Sequence, residues 1–222
     1  MKKLTVIILV AVAIFAIEGT INSQGRSILL DDFSGTAPGN IPKRWRTWPL
    51  QRSKAAQVYK IAEEDGVRYI RAYDSSDLSQ QIFLNFNWKT ETYPKLSWNW
   101  RPTKLPDGAN ESNDATNDSA CGVYVIFGQY TGNAIKYVWS TELPIGKTVT
   151  RRDGKLKIKV LESGLKKTNS WKTEKVDVIE DYKKLFGSPP NKKPSGIAIL
   201  TDGNAVHKPS GCDYSAFAIS SE

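Results

Sequence analysis

Two pairs of aromatic residues stand two positions apart, Trp98 with Trp100 and Tyr137 with Trp139, inside stretches that alternate apolar and polar residues. On an extended strand such a pair projects to one face, while Asn99 and Arg101 project to the other. A face lining a groove would let flat rings stack on sugar rings while nearby Asn, Arg and Asp side chains hydrogen-bond the hydroxyls. A face turned inward would use the same rings to fill a core, and Arg101 would then be the binding residue on the second surface. Both readings stand at this point. Arg101, Tyr137 and Trp139 are therefore candidate ligand-binding residues. Asp118 and Asp202 join them, because both flank strand-like stretches and are expected to converge at one end of the fold.

Catalytic chemistry finds less support. A Ser-His-Asp arrangement needs an imidazole, and the single histidine, His207, stands in a polar loop with no Gly-x-Ser-x-Gly turn in the chain. It reads as a solvated loop residue. Glycoside hydrolysis needs two opposed carboxylates, and no strand-like stretch carries Glu-x-Asp on one face. Asp177 and Glu180 fall where a strand meets a helix, a position that suits capping. No catalytic residue is assigned and no cofactor is expected. A structural calcium ion has two candidate places, Asp31 or Asp32 with Asp213, and the loop holding Asp107, Glu111, Asp114 and Asp118.

The elements that would position these residues follow from composition and pattern. The chain has 222 residues, 40% hydrophobic and 24% charged, which suits one ordinary folded domain and excludes a disordered tail. Lys2 and Lys3 precede an apolar run from Leu4 to Ile17 and then small polar residues, the pattern of a secretory signal over residues 1–23. The run is shorter than the ~20 residues that span a bilayer, so no transmembrane segment is expected after cleavage. The remaining domain, 24–222, is expected to be secreted or periplasmic. In that compartment Cys121 and Cys212, each just before a strand-like stretch, are expected to form a disulfide, with two buried free thiols as the alternative. The net charge is +8, and Lys155, Lys157 and Lys159 alternate with Leu156, Ile158 and Val160. That lysine stripe would suit an anionic glycan or would simply be a solvated face. Nucleic acid is not expected as a partner, and the oligomeric state is left open.

Period-two stretches recur from Gln57 to Ser220, separated by Asp-Gly, Gly-Asn and Pro-Pro turns, and helical periodicity is nearly confined to Ile179–Phe186, closed by Gly187. About ten short strands predict an all-β, two-sheet antiparallel β-sandwich of the jelly-roll kind, with one short helix near residues 179–186.

An ordered set of motifs resembles the secreted bacterial family catalogued as domain of unknown function 3047. The set runs from Leu30-Asp31-Asp32-Phe33 through Leu96–Arg101, Val123–Phe127 and Tyr137–Ser140. It continues with Trp171, Asp181–Gly187, Ile197-Ala198-Ile199 and Thr201-Asp202. The resemblance implies a build similar to galactose-binding-like jelly rolls, many of which are carbohydrate-binding modules. Where the family tends to carry further acids, this chain has Asn117, Gly203-Asn204 and Ala218. The expected function is thus a secreted, non-catalytic binding protein for carbohydrate or an anionic envelope glycan. A glycan-active hydrolase or lyase is the first alternative, and a structural envelope protein the second.

Overall fold

The computed structural model describes residues 25–129 and 131–222, so the expected signal segment lies outside the described residues. Two six-stranded sheets face each other in a β-sandwich. In spatial order the first sheet holds β10 (Lys172–Asp177), β5 (Lys95–Lys104), β12 (Ser210–Ser220), β3 (Val67–Asp74) and β2 (Tyr59–Glu64). The long β12 pairs with β3 along its first half and with β1 (Ser27–Asp31) along its second. The second sheet runs β4 (Gln81–Asn85), β11 (Pro194–Leu200), β6 (Cys121–Phe127), β7 (Ala134–Ser140), β9 (Leu156–Ser163) and β8 (Thr148–Arg151).

Every pairing is antiparallel except β7 with β9. The chain leaves β7, forms the short β8, turns at Asp153-Gly154 and returns beside β7 in the same direction. The expected antiparallel sandwich therefore contains one mixed sheet. A second departure is the helix α1 (Arg52–Val58), which buries Ala55 and Val58 one turn apart. The alternation that reads as a strand from Gln57 begins to pair only at Tyr59.

The core between the sheets is built by alternation. Leu96, Trp98 and Trp100 from β5 meet Val123 and Val125 from β6 and Ile135, Tyr137 and Trp139 from β7. Trp98 lies 5.7 Å from the Tyr137 ring, and Trp100 lies 6.0 Å from Trp139. Cys121 and Cys212 form a disulfide that joins β6 in one sheet to β12 in the other. A smaller apolar cluster of Ala134, Val138, Leu143, Leu156, Ile158 and Val160 lies apart from this core.

The helix α2 (Val178–Phe186) lies where expected. Asp177 caps it by accepting hydrogen bonds from the Ile179 and Glu180 amides, and Gly187 ends it at φ +77°, a left-handed conformation that glycine adopts freely. Its buried Asp181 accepts hydrogen bonds from Tyr137 Oη at 3.1 Å and Lys159 Nζ at 2.6 Å, and Lys157 lies over the Phe186 ring. The lysine stripe is thus no free face: Lys157 and Lys159 are half-buried against α2.

Candidate functional site

With Trp98 and Trp100 facing the core, the alternation along β5 puts Ser97, Asn99 and Arg101 on the outer face of the first sheet. Facing outward beside them are Tyr69 and Arg71 of β3, Asp213 and Ser215 of β12, Glu64 of β2 and Thr173 of β10. Glu64, Asp65, Val67, Tyr69, Asn99, Arg101, Trp171 and Ser215 line a groove of about 360 Å3 there.

Arg101 organises this groove. Its guanidinium donates from Nε at 3.0 Å and from Nη2 at 2.7 Å to Asp213 Oδ2, and from Nη2 to Glu64 Oε2 at 2.9 Å. Its flat face lies 4.5 Å from the Trp171 ring centre and 5.4 Å from that of Tyr69. Both distances suit cation–π stacking. Tyr69 meets Trp171 edge to face at 5.5 Å, and Arg71 also binds Asp213 and the Tyr69 hydroxyl. Burial pushes the Asp213 carboxyl above its ordinary range, against hydrogen bonding from Arg101 and the charges of Arg71 and Arg101. Burial works against the Arg101 charge as well, but the hydrogen bonds to Asp213 and Glu64 outweigh it and hold the guanidinium protonated. On the other side of Arg101, Asn99 accepts from Thr173 Oγ1 at 2.8 Å and donates to Ser215 Oγ at 3.4 Å. Trp171 keeps 40% of its surface in solvent.

An exposed indole, an oriented guanidinium, an amide, a hydroxyl and a carboxylate in one shallow groove can stack on an apolar ring face and hydrogen-bond the hydroxyls around it. The carboxylates lining the groove, Glu64 and Asp65, are neighbours in sequence, and Glu64 is committed to Arg101.

The five residues singled out by sequence separate into three places. Arg101 lies in the groove. Tyr137 and Trp139 are fully buried in the inter-sheet core, because β7 directs its odd-numbered residues inward, so they line no surface. Asp118 and Asp202 come together at a corner of the second sheet, where the Asp202 amide donates to Ser119 O at 3.1 Å. Burial, together with the Asp118 charge, holds the Asp202 carboxyl above its ordinary range, although Lys136 pulls it down.

Among the described residues no group of three or more His, Cys, Asp or Glu side chains is placed to share a metal ion. Asp31 accepts from the Phe33 amide and Trp45 Nε1, Asp32 from Ser34, and Asp213 serves the two arginines. In the long loop Glu111 accepts from Ser119 and Ser140, and Asp114 pairs with Arg151. His207 is solvent-exposed, its Nδ1 2.7 Å from Asp77. Sequence reasoning gave Trp171, Tyr69, Glu64 and Ser215 no role in binding. Tyr69 and Trp171 alternate outward on β3 and beside β10, a signal that becomes readable only once the inward face of each strand is fixed.

Several solved structures align with most of this chain at low identity. The family 29 carbohydrate-binding module CBM29-2, in complex with cellulohexaose, is 8% identical over 90% of this chain and 94% of that one, with a TM-score of 0.44. The xyloglucanase domain of NopAA from Sinorhizobium fredii is 11% identical over 79% and 92%, at 0.42. Endoglucanase 3 of Trichoderma harzianum is 9% identical over 89% and 97%, at 0.41. By sequence no protein with a curated description matches, whereas residues 43–217 match the family described as Protein of unknown function (DUF3047).

Proposed function

The chain belongs to the DUF3047 family, and within it we propose an exported, non-catalytic carbohydrate-binding protein that holds its ligand in the groove on the outer face of the first sheet. The carrying observation is the half-exposed Trp171 indole braced against Arg101 at 4.5 Å, beside Asn99 and Ser215. Export is supported by the basic-then-apolar segment ahead of the domain and by the disulfide. The ligand is a neutral, hydroxyl-rich glycan. Arg71 and Arg101 are balanced by Asp213 and Glu64, which leaves no excess positive charge to collect a polyanion. Glu64, engaged by Arg101, serves the groove as a fixed hydrogen-bond acceptor.

A glycan array probed with the full chain, followed by titration calorimetry on any hit, tests this. Trp171→Ala is expected to weaken binding ~10-fold or more, the equivalent of ~1.4 kcal/mol, and Arg101→Ala to weaken it comparably. The half-exposed Trp171 can be truncated with little cost to the fold. A hit bound equally well by both variants defeats the reading. Chain cleavage of the hit by the wild type would replace binding with the glycan-active enzyme alternative.

A further inference from the structure

Away from the groove, the corner of the second sheet holds an unusual concentration of unanswered oxygens. Asp118 is fully buried and Asp202 is 7% exposed, and each keeps one carboxylate oxygen, Oδ1, with no hydrogen-bond partner. The side-chain oxygens of Asn117 and of the fully buried Ser210 are likewise out of solvent and unpartnered. These residues come from three segments that meet here: the approach to β6, the exit of β11 and the start of β12. The meeting is fixed by the Asp202 amide on Ser119 O, by the Val206 amide on Asp118 Oδ2 at 2.9 Å, and by the closeness of Gly203 to Ser210. Because the second oxygen of Asp118 is held by the backbone, its free oxygen has a set direction.

A buried polar atom with no partner is destabilising, and more so when it is charged. Four at one corner therefore call for a ligand. The nearby buried cation does not supply it. Lys136 donates to Ser119 Oγ at 3.2 Å and lies over the Tyr124 ring, and its stem occupies the space a side chain on Gly122 would need. Ser119 in turn donates to Glu111 at 2.9 Å, and Ser140 donates to the other Glu111 oxygen at 2.5 Å. That chain satisfies its own members. Neither Asp118 nor Asp202 forms an ion pair among the described residues, and three buried carboxylates here face one buried ammonium.

We infer that this corner is a binding site for one hard divalent cation of the calcium class, held by Asp118, Asp202, Asn117 and Ser210. The donor set is all oxygen, two anionic and two neutral, drawn from irregular loops. Such a set suits the flexible six- to eight-oxygen shell of calcium, with backbone carbonyls or water completing it, better than the strict octahedron of magnesium. Its role is structural. It would pin the loop 202–210 over the end of the sandwich where β6, β11 and β12 meet.

The test uses the full chain, purified, chelated and dialysed, and titrated with calcium chloride and separately with terbium chloride. Expected are one calcium ion per chain by calorimetry, terbium emission sensitised by the protein's aromatic residues, and a melting temperature that rises by about 5–10 °C at a calcium concentration ~100 times Kd. Asp202→Asn and Ser210→Ala are each expected to weaken calcium binding at least ~10-fold. Should a variant fail to fold, the stoichiometry and thermal shift of the wild type still decide. Absence of calcium and terbium binding at millimolar concentration overturns the proposal. Binding that is unchanged in both folded variants places the ion elsewhere and overturns it equally.

Discussion

At the scale of single residues, the most informative acid outside the two sites is Glu174. It faces inward from β10, accepts from Trp100 Nε1 at 3.3 Å, and stands near Glu162, which is held by Lys167 at 3.2 Å and Lys172 at 3.1 Å. Burial, reinforced by the Glu162 charge, pushes the Glu174 carboxyl above its ordinary value, and Lys172 pulls it partly back. Between the unfolded pKa near 4.5 and the higher folded one, the native chain keeps a proton that the unfolded chain has released. Stability from this group therefore falls as pH rises across that window and levels off above it. Urea melts of the wild type and Glu174→Gln between pH 4 and 8 are expected to show the variant gaining on the wild type with rising pH. A constant difference would mean that Glu174 titrates normally. Residues also show what the sequence can carry. Period two shows that Trp98 and Trp100 share a face but not which way that face looks, so Arg101 was legible as a binding residue only on one of two branches. Tyr137 and Trp139 carried the same ambiguity and resolved toward the core. Trp171 stands just ahead of its strand, and its outward side is readable only once the inward face of β10 is fixed.

At the scale of elements, β12 shows why strand patterns mislead. Its inward residues are Cys212 and Tyr214, then Phe217 and Ile219, an even-to-odd switch made by a bulge opposite Trp98. Ala216 absorbs the extra residue at φ +52°, a conformation that costs an L-residue about 1 kcal/mol and a β-branched one more. Ala216→Gly is accordingly expected to be neutral or to stabilise by up to ~1 kcal/mol, and Ala216→Val to destabilise by ~1–2 kcal/mol, in thermal melts. Glycan binding should respond to the valine variant as well, since Ser215 lines the groove beside the bulge. The same limit explains the other departures from expectation. The four-residue β8 is too short to show a period, and the parallel β7–β9 pair depends on a return path that no local pattern encodes. The strand expected from Gln57 starts two residues later, at Tyr59, because Ala55 and Val58 find burial one helical turn apart. By contrast α2 was legible throughout, because its cap, its apolar spacing and its closing glycine are all local signals.

At the scale of the whole molecule, the Cys121–Cys212 bridge closes a separation of 91 residues and ties one sheet to the other. In the chain-entropy account such a closure is worth ~4.6 kcal/mol. A Cys121→Ser/Cys212→Ser double variant is expected to unfold at correspondingly lower denaturant. It should also lose groove affinity, because Asp213 and Ser215 follow Cys212 on the same strand. A double variant as stable as the wild type would mean that packing alone sets the spacing of the sheets. The pairing of β1 with the end of β12 has a different kind of consequence. It brings the two ends of the described chain together, the Arg26 amide donating to Ser221 Oγ at 2.9 Å and the Ser221 amide to Arg26 O at 2.9 Å. Ser220 pairs with Lys95, at the opposite end of β5 from Arg101, so the ends emerge about 20 Å along the strand from the groove at ~3.3 Å per residue. A linker, a fusion partner or a solid support joined at either end would moor the molecule by its stern and leave the groove facing outward.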